Sequence, residues 1–224
     1  MGPASHTRIK ICCMRSVREA WLAVEHGADA IGLVSAMPSG PGPIPDDRIA
    51  AIARAVPPGV ATFLLTCRTD PGDLVEQVRT AGVDTVQLVD RVPRLAYVLL
   101  ASLLPAVRRV QVVHVNGEEA VADAVVAAAA GVHAVLLDSG DPTLPVKRLG
   151  GTGRTHDWDL SRRIREEIPV PLWLAGGLHA GNVGDAIARV RPFGVDVCTG
   201  VRTRGRLDRE KLARFVAGVR AASS

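Results

Sequence analysis

From residue 9 almost to its end, the chain alternates short apolar runs with longer runs whose apolar positions recur every three or four residues. The short runs are IKICCM (9–14), AIGLVS (30–35), VATFLLT (60–66), TVQLVD (85–90), VQVVHV (110–115), HAVLLD (133–138), PLWLAGG (171–177) and VDVCTG (195–200). They are rich in Val, Ile and Leu and apolar on both faces, as strands covered on both sides must be. The longer runs predict helices over 16–27, 45–56, 70–82, 92–107, 117–131, 157–168, 180–192 and 208–222. The first of these shows the local logic: Ser16 as N-cap, Glu19 three residues on, and Gly27 to stop the helix. GADAIG, GVDTV and GVHAV repeat one junction, a glycine ending a helix and a strand starting one or two residues later.

Eight such β/α units in 224 residues predict a closed (β/α)8 TIM barrel, a single domain over 8–222 with residues 1–7 frayed. A doubly wound open sheet would place a G-x-G-x-x-G turn after the first strand, where this chain has CCMRSV. Hydrophobic residues are 47% of the chain but aromatics only 3%, so Val, Leu, Ile and Ala must build the core. The formal charge is +4, and 24 of the 27 basic residues are Arg, dispersed and without an aromatic stacking platform. That pattern argues against nucleic acid and suits a small phosphorylated or carboxylated ligand. The cysteines at 12, 13, 67 and 198 have no C-x-x-C spacing, and neighbours on a strand point to opposite faces. Neither a 12–13 disulfide nor a zinc site is expected. No run approaches 18 apolar residues and no signal-like segment precedes the first strand, so the expectation is a cytoplasmic protein with no membrane partner.

In a barrel the chemistry belongs at the C-terminal ends of the strands. Those ends carry Cys12-Cys13, Asp90, His114, Asp138, Gly176-Gly177 and Thr199-Gly200. Two glycine-bearing ends at consecutive strands, 7 and 8, predict a phosphate held by backbone N–H groups of Gly176, Gly177, Thr199 and Gly200. The longest loop follows strand 6, and its GGTGRTHDW stretch (Gly151, Thr152, Gly153, Arg154) reads as a lid over a small anion. Asp138 closes an apolar strand and is the candidate acid. Cys12 is either core filling or a chemical group opposite that acid.

Together, KICC (10–13), EHGADAIGLV (25–34), TVQL (85–88), LLD (136–138), GGTGRTHDW (150–158), LAGGLHAGNV (174–183) and RPFGVDVCTGV (191–201) resemble phosphoribosylanthranilate isomerase over roughly residues 8 to 220. The resemblance implies an Amadori rearrangement without metal or other cofactor, on a phosphorylated small molecule, by a monomer or homodimer. It implies Asp138 as general acid and Cys12 as general base, with Cys13 at the family's glycine position. Three positions depart from the family pattern. Gly42 stands where the family has an arginine for the substrate's aromatic carboxylate, Val89-Asp90 replaces His-Gly, and Arg202 replaces a glutamate. Arg154, Arg202 and Arg204 are the candidates to replace the missing cation, with Arg202 counted among the substrate-binding residues. Two other functions stay open: a relative acting on a different N-substituted phosphoribosylamine, and a non-catalytic barrel that only binds a phosphorylated ligand.

Overall fold

The computed structural model describes residues 6–140, 144–145, 147, 149, 153 and 155–223. Eight parallel strands, β1 (Arg8–Ile11), β2 (Ala30–Val34), β3 (Ala61–Thr66), β4 (Thr85–Leu88), β5 (Arg108–His114), β6 (Ala134–Asp138), β7 (Leu172–Leu174) and β8 (Gly194–Val197), close into a barrel in sequence order, β8 pairing back on β1. Around them lie α1 (Val17–Glu25), α2 (Asp46–Ala55), α3 (Pro71–Ala81), α4 (Arg94–Leu103), α5 (Glu119–Ala129), α6 (Trp158–Glu167), α7 (Val183–Val190) and α8 (Arg209–Ala222). A 3-10 turn (Thr199–Val201) and a small hairpin, β9 (Arg202–Thr203) with β10 (Arg206–Leu207), separate β8 from α8.

The helices start where the sequence supplies side-chain caps. Ser16, Asp70, Asp157 and Asp208 each accept hydrogen bonds from backbone N–H groups of the first turn, replacing partners that a helix N-terminus lacks. α4 is shorter than its apolar pattern predicts: it ends at Leu103, and Pro105 follows the C-cap Leu104. Thr7 is buried and its N–H donates to Ser223, so fraying does not reach this residue, while residues 1–5 lie outside the described set.

The core divides into two shells, as a barrel requires. Outward-facing strand residues such as Ile9, Ile11, Leu64 and Val135 pack on the helices. Inward-facing residues, including Cys12, Ala30, Phe63, Val110, Leu136 and Trp173, fill the barrel. Trp173 stacks edge-on against Phe63 and Phe193, with ring centroids 5.7 and 5.5 Å away. Gly194 on the neighbouring strand leaves it room, since a Cβ there would sit 2.5 Å from the indole. Trp21 on α1 is 42% exposed.

Candidate active site

Several strands stop short of the apolar runs that predict them, and the residues they release form the site. β1 ends at Ile11, so Cys12 and Cys13 belong to the turn that follows; Cys13 has φ 65°, a left-handed conformation rare for a residue with a Cβ. β7 ends at Leu174, and Gly176 and Gly177 turn the chain with φ 84° and 62°. β8 ends at Val197, before Cys198 and the turn at Thr199.

One cleft at this end is lined by Cys12, Cys13, Asp138, Gly153, Gly176, Gly177, Asp196, Cys198 and Thr199, with Met37, Ser39 and Pro41 from the loop after β2. Most of the sequence-predicted site residues therefore share one cavity. Gly200 lies just behind it: a Cβ there would fall 2.0 Å from the Leu178 carbonyl, so only glycine lets the β7 and β8 turns come so close. Asn182 braces the first turn, accepting from the His179 N–H and donating to the Gly177 carbonyl. Gly151, Thr152 and Arg154 lie outside the described residues.

Cys12 points into the barrel because Gly32 on β2 makes space for it; a Cβ at 32 would meet the Cys12 Sγ at 2.7 Å. Asp138 ends β6 and accepts a hydrogen bond from the Ser139 N–H at 2.7 Å. Burial raises its carboxyl from the ordinary 3.8 to about 6, and the Asp196 carboxylate adds to the rise. The Ser139 N–H and the Lys10 charge oppose it without cancelling it. A carboxyl so placed can hold a proton near neutral pH and donate it. His156 sits against Gly176 and Ser139, and burial lowers its imidazole to about 4, which keeps it neutral.

Two features of the site were not legible as site features in the sequence. Below Cys12, Lys10 is fully buried and donates to Asp196 at 2.7 Å, with its ammonium 5.1 Å from the centre of the Phe63 ring. The second Asp196 oxygen, buried in the cleft wall, has no hydrogen-bond partner among the described residues. The only signal was a charged residue at an inward position of each of two otherwise apolar strands. The second feature is Arg15. Its side chain is exposed and lines a neighbouring hollow with Cys13, Pro41, Gly42, Thr199 and Arg202.

Arg202, expected among the substrate-binding residues, makes structural contacts. Its guanidinium is buried, bridging Glu19 at 3.2 Å and donating to the carbonyls of Cys13 and Gly205 at 2.5 and 3.0 Å. It ties the β1 turn to the hairpin after β8, while its Nε has no hydrogen-bond partner among the described residues. In the loop after β6, Lys147 is among the described residues. Lys147 pairs with Asp90 at the end of β4 (2.5 Å), and its carbonyl accepts from the Ser39 hydroxyl of the β2 loop (2.6 Å). A cavity of about 800 Å³ between α4 and α5 is lined by Asp90 and His114 among others, but by neither Cys12 nor Asp138.

Residues 9–218 match the family model described as N-(5'-phosphoribosyl)anthranilate (PRA) isomerase. The chain is 37% identical over 215 residues to the N-(5'-phosphoribosyl)anthranilate isomerase of Halobacterium salinarum, covering 94% of each chain. To that of Methanocella arvoryzae it is 35% identical over 224 residues, covering 96% of this chain and 98% of the relative. Among solved structures, the Thermotoga maritima phosphoribosyl anthranilate isomerase superposes with a TM-score of 0.81 at 29% identity, over 96% of this chain and 99% of that one. A phosphoribosyl anthranilate isomerase solved with reduced 1-(o-carboxyphenylamino)-1-deoxyribulose 5-phosphate superposes with a TM-score of 0.78 at 27% identity, with the same coverage. With residues 9–218 matched by the family model and relatives 35–37% identical over 94–96% of it, the chain belongs to the phosphoribosylanthranilate isomerase family.

Proposed function

We propose that this chain catalyses the Amadori rearrangement of N-(5-phosphoribosyl)anthranilate to 1-(2-carboxyphenylamino)-1-deoxyribulose 5-phosphate, with Asp138 as general acid and Cys12 as general base. The observation that carries this reading is the cleft in which a half-buried Asp138, its carboxyl raised to about 6, and Cys12 share walls with the glycine turns at 176–177 and with Thr199. Asp138 gives its proton to the furanose ring oxygen as the C1–O bond breaks, leaving a Schiff base. Cys12 as thiolate takes the C2 proton, and the enolamine formed becomes the ketone by gaining a proton at C1 and losing the one on the C2 hydroxyl. The backbone N–H groups of the two turns hold the phosphate and fix the sugar between acid and base. Free thiols at all four cysteines fit a reducing, cytoplasmic setting, and the active unit is a monomer or homodimer.

The aromatic carboxylate needs a cation. Gly42 provides none and Arg202 is occupied by Glu19, so Arg15 in the adjoining hollow takes that role. The absence of charge at 42 also favours a second reading, in which the amine bears a different substituent. One experiment separates the two: the purified protein is mixed with freshly generated phosphoribosylanthranilate and the anthranilate fluorescence is followed. Turnover that disappears in both Cys12→Ser and Asp138→Asn is the expected result. No turnover by the wild-type protein rejects the anthranilate substrate, and full turnover by either variant rejects the assigned roles.

A further inference from the structure

Two thiols at the barrel mouth have no part in the isomerisation. Cys13, after β1, and Cys198, after β8, lie 185 positions apart in sequence, yet their sulfurs are 2.8 Å from each other and share a hydrogen bond. Both line the cleft. A disulfide needs about 2.0 Å between sulfurs, so closure requires a shift of less than ~1 Å. The backbone already holds both residues in place. Cys13 is fixed in a left-handed turn with its carbonyl held by Arg202, and Gly42 is pressed against its side chain. Cys198 begins the 3-10 turn that carries Thr199.

We propose that Cys13 and Cys198 form a thiol-modification site at the mouth of the barrel that a hydroperoxide converts to a disulfide, stopping turnover. The two thiols are unequal partners, as such a reaction needs. Hydrogen bonds to the Cys12 and Cys198 sulfurs, together with burial, push the Cys13 thiol well above the usual thiol range. The Cys198 thiol is lowered by its hydrogen bond with Cys13 and by the Arg202 charge, against the opposing effect of burial. Cys198 as thiolate attacks the distal peroxide oxygen. An S–O bond forms, the O–O bond breaks, and the alkoxide leaves as an alcohol after taking a proton. The Cys13 sulfur, giving up its proton, then attacks the sulfenic sulfur and water leaves. In sum, two thiols and one hydroperoxide give one disulfide, one alcohol and one water, and two electrons pass from sulfur to oxygen.

The bond would act on the reaction through its neighbours. Cys13 adjoins Cys12, and Cys198 adjoins Thr199. Drawing the two sulfurs together moves the base and one phosphate turn relative to each other, and displacements near 1 Å cost up to ~10²-fold in rate.

The test treats the full chain with a small excess of hydrogen peroxide. The expected result is a fall from four titratable thiols to two, a mass lower by two hydrogens with no oxygen added, and full reversal by dithiothreitol. Non-reducing tryptic mapping should join peptide 11–15 to the peptide carrying Cys198. The link should persist in Cys12→Ser and vanish in Cys13→Ser and Cys198→Ser. Retention of four thiols, oxygen added without a cross-link, or a cross-link through Cys12 or Cys67 overturns the proposal. These readings need no substrate, so they stand even if the isomerase assignment fails. Where turnover is measurable, oxidised protein should be at least ~10-fold slower than the same sample after reduction. An equal rate in both states overturns the shut-off.

Discussion

Gly42 and Cys13 compete for the same space. A Cβ at 42 would lie 2.6 Å from the Cys13 Cβ and 3.1 Å from its Sγ, and Gly42 sits at φ 92°. The two positions at which the resemblance implies departures from the family pattern, 13 and 42, are therefore sterically coupled. A side chain at 13 leaves no room for one at 42. The expected outcome is non-additivity. Gly42→Ala should destabilise the wild-type fold by roughly 2 kcal/mol or more, through strain and overlap, and by at least ~1 kcal/mol less in a Cys13→Gly background. Urea unfolding of the four proteins measures the difference, and equal costs in both backgrounds would reject the coupling.

Asp138→Asn should trade activity for stability. Because the folded carboxyl, at about 6, lies above the ordinary 3.8, the folded state prefers the protonated form. Its contribution to stability is complete below pH ~4, fades as pH rises through about 6, and is absent above. An amide cannot ionise, so the variant should be more stable than wild type at pH 7 and above, by up to roughly 3 kcal/mol, and equal to it near pH 4. Turnover should fall ~10²- to 10⁴-fold. Thermal melts between pH 4 and 8 check the sign: a variant no more stable than wild type at pH 8 would show that Asp138 is not held against ionisation.

Lys10 and Asp196 form a pair with 0% and 7% side-chain exposure, which makes the partner left behind expensive to strand. Lys10→Met should lower stability by about 3–5 kcal/mol, and Lys10→Met combined with Asp196→Leu should recover much of that loss. Turnover should not recover, because Asp196 also lines the cleft. A double variant as unstable as Lys10→Met alone would contradict the assignment of the loss to a stranded charge.

Arg15→Ala should raise KM roughly tenfold to hundredfold for a substrate bearing an aromatic carboxylate, the worth of one charge-assisted contact, with little change in kcat. A substrate analogue lacking that carboxylate should be handled alike by variant and wild type. An unchanged KM would free Arg15 from this role.

The Lys147–Asp90 contact joins the β6 loop to the end of β4, with side chains 46% and 11% exposed. Lys147→Ala should leave the melting temperature almost unchanged, since solvent screens such a pair to within ~1 kcal/mol. KM should rise several-fold as the loop loses this anchor. Raising the salt concentration should weaken the wild-type protein's advantage over the variant.

The barrel, the order of its strands and the helix starts were legible because they depend on patterns local in sequence: strands apolar on both faces, 3.6-residue periodicity, and caps such as Ser16 and Asp157. The site ends of the strands were legible as positions, since Cys12, Asp138, Gly176, Gly177 and Thr199 follow directly from where the apolar runs stop. By itself the sequence determined the fold and the short set of groups at its mouth. Only the closed barrel decided which of them meet. It brought β8 beside β1, setting Asp196 on Lys10, Cys198 on Cys13 and Glu19 on Arg202 across more than 180 residues of chain. Those pairings make Arg202 a brace and leave Cys13 excluding a side chain at 42, while burial in the closed barrel raises the Asp138 carboxyl to about 6. Each is set by burial and by contacts between residues distant in the chain, and no local pattern of residues encodes these.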